Sequence, residues 1–227
     1  MKKTLLSLMA ATMLFATSCT NETDLLNEEG KTATVSFKVG TPEIASRTYS
    51  DGLTATKLQY AVYAVNENDE NTLLEALKDE NVELKNGKAT VNLQLATGKT
   101  YQVLFWADAT NSPYTFNPQN QTVSVDYSEA VSNDETRDAF YACKQFTVNG
   151  ANTQNVELKR PFAQLNIGTN DYENAKNAGF NPTYSKVTVK NVFRTLNLAT
   201  GTAGDAVEAE FDYAVIAGKE GVLNEAF

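Results

Sequence analysis

Alternation of apolar and polar residues with a period of two is the feature that most constrains how this chain can fold. Residues 32–39 place Ala33, Val35, Phe37 and Val39 on one face of a strand and polar side chains on the other. This period predicts a half-buried β-strand. Similar segments recur with turn residues between them, and no strand–helix–strand alternation suggests a parallel sheet. The pattern predicts an all-β chain of the β-sandwich class.

The clearest local signal is a hairpin turn at Asn86-Gly87, which lies between two alternating segments. Both residues tolerate a positive φ, as a tight two-residue hairpin turn requires. Residues 73–77 fit either a strand or one helical turn. Strands are also predicted at 57–65, 88–95, 101–106, 122–127, 140–148, 154–158, 163–167, 186–192, 196–198 and 211–216, a short helix at 171–181, and loops at 107–120 and 128–138.

The start of the chain has the pattern of a secretory signal. Lys2 and Lys3 form a basic head, and residues 5–15 form an apolar run that is too short to cross a bilayer as a helix. Small residues then lead to Cys19. A basic head, an apolar core and small residues before the cut describe a cleavable signal. An ordinary cut near Ser18, with an incidental cysteine, is the alternative.

The cysteine that ends this signal resembles the lipidated cysteine of bacterial lipoproteins. The resemblance implies that residues 1–18 are removed and that Cys19 carries three acyl chains, a stable anchor at about 0.8 kcal/mol per buried CH₂. Residues 19–31 are polar and acidic. They are either a plain flexible tether or, as in Bacteroides-type lipoproteins, a surface-export signal. We therefore expect a lipid-anchored outer-membrane protein that is exposed on the cell surface.

Composition excludes several functional classes. The 227 residues include 19 basic and 28 acidic side chains and no histidine, and loss of Lys2 and Lys3 takes the formal net charge from −9 to −11. So acidic a chain repels nucleic acid. Without histidine, Ser-His-Asp, Cys-His and His–metal chemistry are excluded. Cys143 is the only cysteine besides Cys19. No disulfide framework is then expected, and its apolar surroundings in sequence predict that Cys143 is buried.

Three motifs together resemble the fimbrillin-like lipoproteins of Bacteroides and its relatives, which are subunits and anchors of type V pili. The first is the signal that ends at Cys19 with its acidic tail. The second is the opening strand 35–39 followed by Ala-Ser-Arg-Thr at 45–48. The third is the segment 158–167, LKRPFAQLNI, which contains an R-x-x-A-[KQ]-[IVL] pattern. The resemblance covers about residues 1–200.

This resemblance implies a transthyretin-like β-sandwich over residues 32–200, followed in 201–227 by a linker and the start of an incomplete second β domain. It implies no cofactor or metal. Its assembly mechanism is donor-strand exchange, in which an arginine-directed protease cuts at Arg47, the first strand leaves, and a strand from another fimbrial subunit fills the groove. The alternative is that Arg47 is a surface arginine with no processing role. Stalk, anchor and tip roles all remain open. The side chains that cover the groove before cleavage are Val35, Phe37 and Val39.

The third motif also has a structural explanation. Ala163 is small and lets a neighbouring element pack closely. Pro161 lacks an N–H and therefore belongs at a strand start or edge. Arg160 is expected either to lie over a sheet edge or to pair with an acidic loop.

A glycan- or ligand-binding surface module is the main alternative function, with Trp106, Tyr114 and Phe116 as its aromatic platform. The other interpretation of these residues, which the sequence favours, is that Trp106 ends a core strand and that Tyr114 and Phe116 cover a sheet edge. Carboxylate catalysis is weaker, because the acidic clusters lie in polar segments with no apolar surround to raise a carboxyl pKa. A calcium site at 66–71 lacks the glycine of an EF-hand loop. We therefore predict that the protein is not an enzyme. The acidic clusters are Asp134, Glu135 and Asp138, and Glu67, Asp69 and Glu70.

Overall fold

The computed structural model describes residues 31–42, 52–169, 171–180, 184–213 and 223–226. Within these ranges the chain is nearly all strand, which confirms the predicted all-β class. A 3₁₀ helix at Glu135–Arg137 and one α-helix, α1 (Tyr172–Asn177), are the helical elements of this part. The strands are β1 (Thr32–Gly40), β2 (Lys57–Val65), β3 (Asn71–Glu83), β4 (Lys88–Ala96), β5 (Thr100–Asp108), β6 (Tyr114–Asn117), β7 (Thr122–Val125), β8 (Phe140–Thr147), β9 (Asn152–Glu157), β10 (Asn166–Thr169), β11 (Ser185–Asn197), β12 (Ala203–Tyr213) and β13 (Leu223–Ala226).

Several local predictions need correction. Residues 73–77 are strand, as part of the long β3, and the predicted loop 107–120 contains β6. The strand expected from Ala163 begins only at Asn166, because the segment after Pro161 runs without ladder partners. The two strands expected at 186–192 and 196–198 are one strand, β11, with a bulge between Val189 and Val192.

The end of the sandwich also differs from expectation. Residues 203–208 are not a linker but part of β12, which pairs antiparallel with β11 along most of its length. The small residues there pack in a sheet, because Gly204 and Ala209 lie beside β11 and Ala209 is buried. The division of the chain into domains stays a prediction.

The strand β5 lies at the centre of the molecule. It pairs antiparallel with β2 and β8 in a sheet of order β3-β2-β5-β8. Its residues from Tyr101 to Asp108 are all buried. Alternate side chains of a strand point to opposite faces, so a strand buried along its length has protein on both faces. Phe105 packs into one apolar cluster, and Leu104 and Trp106 pack into the other.

A sheet of order β4-β1-β9 covers the first face of the β5 sheet. Its middle strand, β1, pairs antiparallel with β4 and parallel with β9. The Phe37 ring lies 5.5 Å from the Phe105 ring and 5.4 Å from the Phe146 ring. Aromatic pairs at this spacing and tilt contribute beyond the area that they bury. The predicted strand 32–39 is therefore confirmed as an inward-facing core strand.

A second sheet, of order β12-β11-β7-β6, covers part of the other face. Val123 of β7 and Leu196 of β11 pack there with Trp106. Beyond this contact, β11 and β12 continue as a long hairpin. Three solvent-exposed ion pairs link the two strands of that hairpin: Lys186–Glu210, Lys190–Glu208 and Arg194–Asp205.

The turn at Asn86-Gly87 is confirmed, with φ values of 50° and 71°. Lys85 and Lys88 exchange backbone hydrogen bonds of 2.9 Å across it. Beyond that pair the strands separate, because β3 joins the β5 sheet and β4 joins the β1 sheet. The turn therefore links two layers. A Cβ atom at Gly87 would overlap Thr41 Oγ1, whereas a Cβ at Gly98, which also has a positive φ of 78°, would meet nothing within 4 Å.

Two alanine substitutions separate these effects. Gly98→Ala should cost only the backbone penalty of a left-handed residue, about 1–2 kcal/mol. Gly87→Ala should cost that penalty and a further ~1–3 kcal/mol from the overlap with Thr41. The free energy of unfolding from urea titration measures both. Equal losses would mean that the contact with Thr41 does not constrain this turn.

Candidate functional site

The strand β1 occupies a slot between two other strands. All nine of its residues are in register with β4, from Thr32 opposite Ala96 to Gly40 opposite Lys88. Six of them are also in register with β9. Backbone groups on both edges of β1 therefore have ladder partners. Loss of this strand would leave two unpaired edges, one on β4 and one on β9.

The two faces of β1 are chemically different. Its inner face carries Val35 and Phe37, both 0% exposed, and Val39 at 2%. Full burial of such side chains contributes roughly 1.5–3 kcal/mol each. On the outer face, Ser36 Oγ donates to Asn92 Oδ1 at 2.7 Å and Gln94 Nε2 donates to Thr34 Oγ1 at 2.7 Å. The slot accepts an extended segment with three apolar residues at alternate positions.

The backbone at both ends of β1 is also held. Thr97 N donates to Lys31 O at 2.9 Å, and Leu158 N donates to Gly40 O at 2.8 Å. Val35, Phe37 and Val39 thus lie on the buried face of β1, as the alternation predicts, while their role as the cover of a donor-strand groove stays a prediction. The other two predicted site residues, Cys19 and Arg47, lie outside the described residues.

Arg160 pairs with the acidic loop, which was one of the two roles expected of it. Its Nε lies 2.7 Å from Asp138 Oδ1 and its Nη2 lies 2.8 Å from Asp138 Oδ2. The Asp138 side chain is 1% exposed, so this bidentate pair is largely desolvated. The guanidinium carbon also lies 4.8 Å from the centre of the Phe140 ring. The pair fastens the segment after β9 to the loop before β8.

The aromatic platform that the alternative function needs at Trp106, Tyr114 and Phe116 is not formed, and Trp106 instead belongs to a core strand, as the other interpretation of these residues predicts. Trp106 is fully buried, and its ring meets the Tyr114 ring edge-on at 5.2 Å. Phe162 stacks on Tyr114 at 5.4 Å. Burial raises the pKa of Tyr114, whose hydroxyl donates to Arg137 O at 2.7 Å. These rings form a core cluster rather than a binding surface, because the second sheet covers this face of β5.

In the acidic clusters, the carboxylates of Asp134, Asp138 and Glu70 have side-chain or backbone partners, and Glu70 Oε2 accepts from Asn66 Nδ2 at 2.7 Å. Asp134 Oδ1 accepts hydrogen bonds from Thr136 N at 3.0 Å and Thr136 Oγ1 at 2.6 Å, and Asp138 is held by Arg160. In the turn between β2 and β3, Asn66 Oδ1 accepts from Asn68 N and Glu70 N at 2.9 Å each. Nowhere in the described ranges do three His, Cys, Asp or Glu residues form a group that could hold a metal ion.

Cys143 is exposed, so its predicted burial is wrong. The apolar run 139–143 resembles a core strand in sequence, but only Ala139 and Phe140 are buried. The reason is that β8 is the edge strand of its sheet. The side chains of β8 after Phe140 are therefore half-buried or exposed.

Sequence reasoning missed the buried Asp108. Its carboxylate accepts a 2.6 Å hydrogen bond from Ser112 Oγ and lies 3.3 Å from Lys57 Nζ. Gln59 Nε2 donates to it at 3.4 Å. The available signal was an acidic residue directly after a continuous apolar strand. This network fixes the end of β5 and the loop that leads to β6.

The fold is therefore that of a layered all-β protein of the sandwich class. The chain belongs to a family of unknown function, DUF6562, whose model matches residues 26–225. No curated protein sequence matches the chain. In the described part of the chain, no helix is long and apolar enough to cross a membrane.

Solved structures from Bacteroides and Porphyromonas species share this fold at low sequence identity. The fimbrial anchor protein Mfa2 from Porphyromonas gingivalis superposes with a TM-score of 0.53 and 14% identity, over 87% of this chain and 72% of that one. A proposed polysaccharide-binding protein from Bacteroides thetaiotaomicron superposes with a TM-score of 0.53 and 14% identity, over 86% of this chain and 71% of that one. A proposed adhesin from Bacteroides ovatus superposes with a TM-score of 0.52 and 12% identity, over 89% of this chain and 68% of that one.

The Arg160–Asp138 pair can be compared with an exposed pair of the same type. Arg160→Ala leaves the buried Asp138 carboxylate without its partner, which should cost about 3–5 kcal/mol of unfolding free energy. Arg194→Ala removes the partner of Asp205, whose side chain is 46% exposed, and should cost under about 1 kcal/mol. Urea titration of both variants checks the difference, and similar losses would contradict the buried role of Arg160.

Proposed function

We propose that this protein is a structural lipoprotein of the cell surface, a fimbrial subunit or anchor of the type V pilus kind, and not an enzyme. The observation that carries the proposal is the slot of β1. Its occupant is a single middle strand with an apolar inner face and ladder partners on both edges. The shared fold of the fimbrial anchor protein from Porphyromonas gingivalis supports the proposal.

The proposed partners are other fimbrial subunits and the outer-membrane lipid. A cut at Arg47 would sever the connection between β1 and β2, after which only noncovalent contacts would hold β1. Departure of β1 would expose an apolar groove and two strand edges. Such a groove accepts a strand from another chain, because the backbone edges give affinity and the alternate side-chain pockets give specificity. The result is an assembly step controlled by proteolysis.

The lipid anchor is tested by labelling cells with palmitate. Cys19→Ala should abolish incorporation of the label and leave an unprocessed precursor. Cys143→Ala removes the other cysteine, which is exposed on β8, and should incorporate label like the unchanged protein. Normal labelling of the Cys19→Ala protein, or loss of label in the Cys143→Ala protein, would contradict the assignment.

The strand slot is tested by limited digestion of the purified protein with an arginine-specific protease. Cleavage after Arg47 should release the segment that contains β1, as measured by mass spectrometry, and Arg47→Gln should prevent this cut. The nicked protein should then bind a peptide with the sequence of residues 31–42. The same peptide with Phe37→Asp should bind at least tenfold more weakly, because it would place a charge between the Phe105 and Phe146 rings.

Three results would sink the mechanism. These are resistance of Arg47 to cleavage in the folded protein, retention of β1 by the nicked protein, and equal binding of the two peptides. Failure to label Cys19 would contradict the lipid anchor but would not contradict the strand-exchange mechanism. The two parts of the proposal are therefore tested separately.

A further inference from the structure

A cleft of about 400 Å³ lies between the loop 131–139, the segment 160–165 and residues 189–196 of β11. It is separate from the slot of β1, and none of the described residues that line it belongs to that strand. Its walls include Val131, which is 44% exposed, and Leu165 and Phe193, which are each 49% exposed. A cluster of large apolar side chains around one concavity marks an interaction site. The strand pairing beside the cleft indicates what occupies it.

The strand β10 begins directly after Leu165, at the edge of the cleft. It pairs antiparallel with β13 through four residue pairs, of which the one nearest the cleft is Asn166 opposite Ala226. The next pair in the same register is Leu165 opposite Phe227. Phe227 lies outside the described residues, but its Cα is bound to follow that of Ala226 by about 3.8 Å. Continuation of the register therefore brings Phe227 to the wall of the cleft.

The same register decides on which face of the ladder the Phe227 ring would lie. Residues directly opposite each other in an antiparallel pair have side chains on the same face, with Cβ atoms about 4.5–5.5 Å apart. Ile167 is two residues from Leu165 and shares that face, and it is 41% exposed. Diagonal neighbours are also within reach of an aromatic ring. One ring at position 227 would thus contact two half-exposed apolar side chains and extend over the cleft.

A side chain of the same chain has an advantage over a dissolved molecule as the occupant. A tethered group has a high effective concentration, on the order of millimolar for a short tether. It also avoids most of the translational and rotational entropy that a free ligand loses on binding. A dissolved apolar molecule would first have to displace it.

The strand β13 pairs, within the described part of the chain, with β10 alone, in a sheet of two strands. A pair of strands by itself is only marginally stable in water. Burial of an apolar ring beside the ladder would supply the hydrophobic contact that such a pair lacks. Separation of β13 from β10 would conversely withdraw that ring from the cleft.

We propose that β13 is a strap that closes this cleft, and that Phe227 is the side chain that fills it, between Leu165 and Phe193. The cleft is then an internal docking site, which becomes accessible to other apolar molecules only when β13 leaves β10. This device is independent of the fimbrial proposal, because it uses neither β1 nor Arg47.

An engineered disulfide tests the register. In the purified full chain with Cys19→Ala and Cys143→Ala, no native thiol remains. Leu165→Cys with Phe227→Cys should then form a disulfide within one chain on mild oxidation. Leu165→Cys with Asn224→Cys is the matched control, because Asn224 is three residues away in register, roughly 10 Å, which is too far for a disulfide. The control should form its disulfide at least tenfold more slowly, as measured by mass spectrometry of the unreduced peptides.

A fluorescent apolar probe, N-phenyl-1-naphthylamine, tests whether the ring fills the cleft. The non-lipidated full chain with Phe227→Ala should bind the probe saturably and at least tenfold more tightly than the unchanged chain, because the apolar walls are uncovered. Addition of Phe193→Ala to this variant should weaken the binding roughly tenfold, since it removes contact area. Phe180→Ala is the control, because Phe180 is 70% exposed and does not line the cleft, and it should leave probe binding unchanged. Thermal unfolding of each variant shows that it is folded.

The strap is overturned if the Leu165→Cys, Phe227→Cys protein forms its disulfide no faster than the control. A disulfide between two chains would also overturn it, and would assign the occupant to a second copy. If the unchanged chain binds the probe as tightly as the Phe227→Ala protein, the cleft is open and the proposal is wrong. Equal probe binding with and without Phe193→Ala would place the uncovered surface elsewhere and contradict it as well. None of these outcomes bears on palmitate labelling or on cleavage at Arg47.

Discussion

Burial of β5 on both faces holds together three of the four sheets that the described residues form. On one face of the strand, Phe105 packs against the β1 sheet. On the other face, Trp106 packs against the sheet of β7 and β11. The sheet of β1 and the sheet of β7 and β11 thus pack on opposite faces of this strand. The burial is extensive enough to retain a polar atom without a partner, since Trp106 Nε1 has no hydrogen-bond partner among the described residues. Unpaired buried donors typically cost about 1–3 kcal/mol, so the surrounding packing must exceed that.

β1 is buried on one face and β5 on both faces, so the sandwich would tolerate the loss of β1 better than the loss of β5. β1 contributes one apolar face and covers one side of the β5 sheet, with polar side chains facing outward. Removing it would open a groove but leave the β5 sheet and the opposite layer in place. Removing β5 would separate all three layers. A mechanism that exchanges a strand therefore needs a strand in the position of β1.

The slot of β1 and the surface beside β11 are two different kinds of apolar region. The slot is filled by the chain itself and would open only after a covalent cut. The half-exposed side chains of Val131, Leu165 and Phe193 face solvent in the intact chain. Near them, the Arg160–Asp138 pair joins the segment after β9 to the loop before β8, and Phe162, two residues after Arg160, stacks on Tyr114.

The sequence by itself determined the all-β class, the inward face of β1 and the turn at Asn86-Gly87, because period-two alternation and positive φ act over a few neighbouring residues. Only the tertiary structure decided that Cys143 is exposed and that Trp106 is buried, since both residues lie in apolar runs that look alike in sequence. The difference comes from sheet position: β8 is an edge strand, whereas β5 is central and covered on both faces. The tertiary structure likewise decided the parallel pairing of β1 with β9 and the ion pair between Arg160 and Asp138. Both contacts join segments that are distant in the chain, so they depend on the packing of layers rather than on any local pattern.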